Sequence, residues 1–97
     1  MEKLLTIEFE FLEQFYFSLI RVKQKNGLNE YQITVMNGDL EKLLYGNHII
    51  QVEDGRLQVE FSENNKQELL KLRIAEALGK FLRIPLQVNH KQEESMY

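Results

Sequence analysis

Apolar and polar side chains alternate at the start of the chain. Within residues 4–11, the apolar side chains fall two positions apart, at Leu5, Ile7, Phe9 and Phe11. A period of two is typical of a β-strand that buries one face. The pattern therefore predicts an N-terminal strand.

The dipeptide Asn26-Gly27 lies between two apolar segments, residues 15–24 and 29–37. Asn-Gly favours the positive φ angles of a two-residue hairpin turn. Pairing the segments around this turn collects apolar side chains on one face, which predicts a β-hairpin. Because the first segment alternates poorly, a helix over about residues 8–23 is the alternative. We favour the strand, since β-branched and aromatic residues dominate the segment.

A second hairpin is predicted around Asp54-Gly55. With the turn there, residues 48–53 pair with residues 56–61, and one face is polar apart from Ile49. Between the hairpins, residues 39–46 carry three leucines at helical spacing and end near a glycine. This spacing predicts a short helix of about two turns.

Residues 65–83 have the pattern of a long amphipathic helix. Asn65 is a suitable N-cap, and Pro85 follows the predicted end of the helix. The apolar stripe of this helix consists of Leu70, Ile74, Ala77, Leu78 and Phe81. Residues 86–88 are expected to form a short final strand at an edge of the sheet.

Together these elements predict one α+β domain over residues 1–89. Its antiparallel sheet has about five strands, from the two hairpins and the N-terminal strand. A short helix lies between the hairpins, and the long C-terminal helix packs on one face of the sheet. The polar residues 90–97 are expected to form a flexible C-terminal tail.

Composition narrows the class of protein. The 97 residues are 43% hydrophobic and 28% charged, close to the average of globular domains. The chain has no cysteine, which excludes disulfides and thiolate metal sites. No apolar run approaches the ~20 residues that cross a bilayer, and Glu8 and Glu10 interrupt the apolar residues at the amino terminus. We therefore expect a cytoplasmic protein that does not enter a membrane.

The sequence offers little catalytic chemistry. It has no phosphate-binding glycine loop, no Gly-x-Ser-x-Gly segment and no pair of histidines at helical spacing. We therefore predict no catalytic, metal-binding or cofactor-binding residue. A small enzyme with His48 as general base, assisted by Asp39, Glu41 or Tyr45, is an alternative. The simpler interpretation is a half-buried histidine at the end of a hairpin strand.

A basic stripe on the predicted long helix supports another alternative, a nucleic-acid-binding domain. The stripe consists of Lys66, Arg73, Lys80 and Arg83, which have the charge to contact phosphates. Glu76 lies within the stripe, and the net charge of the chain is −3. Both argue against a dedicated nucleic-acid binder, so we favour a solvated helix face.

The excess of apolar residues is more informative. If the long helix covers one face of the sheet, the other face carries Phe15, Phe17, Leu19 and Met36. Either the short helix covers these side chains, or they form an exposed patch of the kind that binds proteins. We predict a non-enzymatic interaction or regulatory module that forms a homodimer or binds another protein.

Overall fold

The computed structural model describes residues 3–62 and 65–90. In chain order these residues form β1 (Lys3–Phe11), β2 (Gln14–Lys25), β3 (Leu28–Val35), α1 (Gly38–Leu43), β4 (Ile49–Glu53), β5 (Arg56–Phe61), α2 (Lys66–Leu82) and β6 (Leu86–His90). The predicted α+β class is confirmed. β2 spans the first hairpin segment, so the strand prediction is confirmed there and the helix alternative is wrong.

The strands form one sheet in the order β1-β2-β3-β4-β5-β6. Two-residue turns join β1 to β2, β2 to β3 and β4 to β5, and both residues of each turn have positive φ. In the β2–β3 pair, Ile20 lies opposite Ile33, as the Asn26-Gly27 turn predicts. In the β4–β5 pair, Val52 lies opposite Leu57, also in the predicted register.

β6 is the final strand that was predicted at an edge of the sheet, but its direction differs from the prediction of an antiparallel sheet of about five strands. β6 pairs in parallel with β5, at the edge of the sheet far from β1. A parallel neighbour needs a long crossover connection, which α2 supplies. The amide of Leu57 donates to the carbonyl of Pro85 at 2.9 Å, so the pairing begins directly after the proline.

One hydrophobic core lies between the sheet and the two helices. Its fully buried large side chains include Phe11, Ile20, Ile33, Leu44, Ile50, Leu57, Leu70, Ile74 and Leu78. Phe81 belongs to the predicted apolar stripe of α2 but is 58% exposed. It lies in the last turn of the helix, beside the outer edge of β1, where the sheet ends.

Gly79 allows α2 to end in a tight turn. Its carbonyl accepts from the amides of Arg83 and Ile84, the second at 3.0 Å, and Arg83 is left-handed with φ 59°. The bond from Ile84 is the 6→1 bond of a Schellman motif, and the bond from Arg83 is the 5→1 bond of the αL motif. A Cβ atom on residue 79 would lie 2.9 Å from the carbonyl oxygen of Ile84, so this close approach requires glycine.

The short helix α1 packs on the same side of the sheet as α2. Asn37 caps it by accepting from the amide of Leu40 at 3.1 Å, and Leu40 and Leu44 are buried in the core. The smallest dimension of the molecule is 22 Å, which corresponds to about one sheet and one layer of helices. We call the side of the sheet opposite the two helices the open face.

The last described residue, His90, belongs to β6. Its ring lies edge-on to the ring of Phe61, with 6.1 Å between the centroids. The other residues of the predicted tail, 91–97, lie outside the described residues.

Candidate interaction surface

The four residues predicted to form an interface lie together on the open face. Phe15, Phe17 and Leu19 alternate along β2, and Met36 follows the end of β3. The amide of Met36 donates to the carbonyl of Phe17 at 2.9 Å, which places these two side chains side by side. Phe15, Phe17 and Met36 are 65%, 51% and 63% exposed, and Leu19 is partly buried.

The short helix does not cover these side chains. α1 starts two residues after Met36, but Leu40 and Leu44 turn towards α2 and fill one end of the core. Among the described residues, no helix lies over the open face. Of the two sequence-based alternatives, the structure therefore contains the exposed patch.

Two more apolar residues extend the patch. Leu4 lies opposite Arg21 and Ile49 lies opposite Gln32, and Arg21 in turn lies opposite Gln32. Leu4 and Ile49 thus end one row of side chains that crosses four strands, and both are exposed. The sequence indicates the exposure of Ile49, because it is the one apolar residue on the polar face of its hairpin. We define the apolar patch as Leu4, Phe15, Phe17, Leu19, Met36 and Ile49.

Charged residues of both signs border the apolar patch. Glu8 and Glu10 lie beside it on β1. Lys23 and Glu30 lie directly opposite each other towards the far ends of β2 and β3. Arg21 lies in the row between Leu4 and Ile49, so the uncharged centre of the surface consists of Phe15, Phe17, Leu19 and Met36, and polar side chains surround it.

The predicted nucleic-acid contacts are on the solvent side of α2. Lys66, Arg73 and Lys80 are seven residues apart and form one exposed stripe, and Arg83 follows the helix. Nη1 of Arg73 lies 2.7 Å from Oε1 of Glu76, so one cation of the stripe is paired within the helix. Binding of nucleic acid by these residues stays a prediction.

His48 is held by Glu41 of α1. The His48 Nε2 atom lies 2.5 Å from one carboxylate oxygen of Glu41, and the other oxygen accepts from the amide of Val35 at 2.8 Å. The carboxylate thereby joins α1 to the end of β3 and the start of β4. Asp39 and Tyr45 are exposed. These contacts favour a structural role for His48.

The chain matches no protein-family model, no curated protein and no solved structure. No helix within residues 3–62 and 65–90 is both long and apolar enough to cross a membrane. The same residues bring together no group of three side chains able to hold a metal ion.

Proposed function

We propose that this chain is a cytoplasmic, non-enzymatic interaction or regulatory module that self-associates through the apolar patch. The observation that carries the proposal is the exposure of Phe15, Phe17 and Met36, each more than half exposed on a sheet face without a helix. Sheets commonly bury such a face against a second layer. A second molecule supplies that layer in our proposal.

The size of the apolar patch fits a protein interface. With the side-chain areas typical of these residue types, its exposed portions amount to roughly 600 Å². That is at the top of the ~300–600 Å² range of the largest contiguous patch on an ordinary monomer, and Arg21 and Gln32 separate Leu4 from Ile49 within it. It is also about three quarters of the ~800 Å² that each partner contributes to a standard interface. The polar rim would contribute the remaining area.

A second copy of the same chain is the partner that this surface fits best. Two patches stacked about a two-fold axis cover each other, so one surface satisfies both molecules. The facing pair of Lys23 and Glu30 leaves that end of the rim without an excess of either charge. The apolar side chains of the patch carry no charge that would attract a strongly charged partner.

The mass of the protein in solution tests the proposal. One chain has a mass of 11.6 kDa, and light scattering at micromolar concentration should give twice that value. Phe17→Asp places a charge at the centre of the patch. Burying an unpaired charge costs at least ~3 kcal/mol, which weakens the dimer more than about a hundredfold. The Phe17→Asp protein should therefore have the mass of one chain.

Phe81→Asp is the matched control. Phe81 is 58% exposed and Phe17 is 51% exposed, but Phe81 lies on α2, away from the open face. The control should keep the mass of the wild-type protein. A wild-type protein with the mass of one chain from about 1 to 100 µM refutes the proposal. A Phe17→Asp protein that keeps twice the mass of one chain refutes it as well.

A further inference from the structure

The outer edge of β1 has free backbone groups. All nine residues of β1 pair with β2 on one side, and no strand of the described residues pairs on the other side. Phe11 and Gln14 close the two-residue turn, so they form a hydrogen-bonded pair. Because such pairs alternate in an antiparallel ladder, the backbone amides and carbonyls of Leu4, Thr6, Glu8 and Glu10 point outwards.

This edge lacks most of the features that usually prevent strand addition. Proteins protect edge strands by prolines, bulges, short length, charged side chains or charges that point inwards. Of these, β1 has the charged side chains of Lys3 on the helix side, at its first residue, and of Glu8 and Glu10 on the open face. Residues 3–11 contain no proline and no residue with positive φ. β1 is nine residues long, whereas the other edge strand, β6, has five. The β1 edge is therefore suited to receive another strand.

On the helix side, α2 forms a wall beside the β1 edge. A groove of about 820 Å³ runs between them. Its apolar lining consists of Leu69, Ala77 and Phe81 on the helix and Ile7 and Phe9 on the strand, and the charged side chains of Arg73, Glu76 and Lys80 also line it. Phe81, whose exposure sequence reasoning did not foresee, projects from this wall. A strand added to β1 would place every second side chain against the wall, so these side chains should be apolar.

On the open face, the same edge is acidic. Glu8 and Glu10 project there two residues apart, and their neighbours across β2 are Phe17 and Phe15. No cation of the described residues forms an ion pair with either carboxylate. The other side chains of an added strand would lie directly opposite these carboxylates, where basic residues are favoured.

A second copy fits this edge less well than a basic strand does. Full pairing of two β1 strands about a two-fold axis is centred on Ile7, the middle residue of the strand. Glu8 would then face Thr6 of the other copy, and Glu10 would face its Leu4. Neither carboxylate would meet a positive charge, and four carboxylates would lie close together on one face.

From this geometry we infer that the β1 edge binds an extended peptide segment in which apolar and basic residues alternate. The segment adds a strand to the sheet, with its apolar side chains on the α2 wall and its basic side chains beside Glu8 and Glu10. This site goes beyond the proposed self-association, which uses the open face. The two surfaces can be tested separately.

The probe is a fluorescent nine-residue peptide that alternates valine and lysine. It should bind the full chain, and binding should weaken as salt rises because the charge pairs are at the surface. A peptide that alternates valine and glutamate should not bind. A third peptide, with the valines and lysines in two blocks, should not bind either, because its basic residues cannot all lie on one side of a strand.

Substitutions locate the site. Glu8→Gln with Glu10→Gln should weaken binding about tenfold, roughly threefold for each lost charge pair. Thr6→Pro removes an outward amide that β2 does not use, so the fold should persist while binding is lost. Phe81→Asp should also weaken binding. Met36→Asp places a charge in the apolar patch one strand further from β1 than Phe17. It should disrupt self-association and leave the peptide affinity unchanged, so failure of either proposal can be recognised by itself.

Amide hydrogen exchange gives an independent measurement that needs no variant. At a peptide concentration 100 times Kd, exchange at Leu4, Thr6, Glu8 and Glu10 should slow by about a hundredfold. The amides of Ile7 and Phe9 are already protected by β2 and should change little. Equal affinity for the glutamate peptide overturns the inference, as does slowed exchange confined to other elements. A second copy at the edge would also overturn the inference. In that case the outward amides would already be protected in the free protein, and they would lose this protection on dilution.

Discussion

We predict that replacing Gly79, in the last turn of α2, by alanine destabilises the fold. Gly79→Ala adds a methyl group whose carbon would lie 2.9 Å from the carbonyl oxygen of Ile84. That oxygen belongs to the backbone of the turn that leads into β6, so it cannot rotate away. Overpacking of this kind costs ~1–3 kcal/mol. Alanine gains at most ~1 kcal/mol over glycine as a helix former, so we expect a net loss of about 1 kcal/mol.

Gly38→Ala is the matched control. Gly38 is the first residue of α1, and no atom lies within 4 Å of the position that its Cβ would take. The same substitution should therefore leave stability unchanged or raise it by up to ~1 kcal/mol. Alanine is thus expected to destabilise the protein at Gly79 and not at Gly38. For a domain of this size, a loss of 1 kcal/mol lowers Tm by about 4–8 °C.

Urea unfolding at one fixed protein concentration measures both variants. The concentration must be fixed because self-association raises the apparent stability of the folded chain. The urea concentration at the midpoint of unfolding should fall for Gly79→Ala. The slope of the unfolding free energy against urea should stay the same, which shows that stability has changed and the compactness of the unfolded state has not. A Gly79→Ala protein as stable as the Gly38→Ala protein would refute the reasoning. The turn after α2 would then have room for a side chain.

Substitutions at two further places test a contact and a turn that position the sheet. Glu41→Ala should lower the free energy of unfolding by about 1–3 kcal/mol, because the buried amide of Val35 loses its acceptor. Glu41→Gln keeps an acceptor oxygen and should lose less. Chemical denaturation measures both variants. Leu12 and Glu13 have φ angles of 49° and 67°, so replacing them by Asn-Gly should raise Tm, with a gain of about 1–2 kcal/mol. An unchanged or lower Tm in the Asn-Gly protein would show that the turn between β1 and β2 is not strained.

Much of the apolar patch is predictable from the sequence, because short-range rules determine it. A two-residue turn at Asn26-Gly27 permits one register, and that register was confirmed residue by residue. The alternation of side chains then places Phe15, Phe17 and Leu19 on one face of β2. Met36 joins them because it pairs with Phe17 just past the end of β3.

Leu4 and Ile49 were harder to assign. They lie in strands that are far apart along the chain, and only the register of four strands together brings them into one row. The spacing of Phe81 matches the apolar stripe of α2, which predicts that its side chain packs on the sheet. It is exposed because it lies on the side of the helix beside the outer edge of β1, and helical spacing contains no information about where a sheet has its edge.

The amino-acid sequence by itself determined the elements of this protein and which side chains share a face, since turn geometry and side-chain period act over a few neighbouring residues. Only the tertiary structure decided that α1 and α2 lie on the same side of the sheet, that β6 runs parallel to β5, and that the outer edge of β1 has no partner strand among the described residues. Those choices depend on how segments distant in sequence compete to cover the same apolar surface. Self-association through the open face and strand addition at the β1 edge both follow from them.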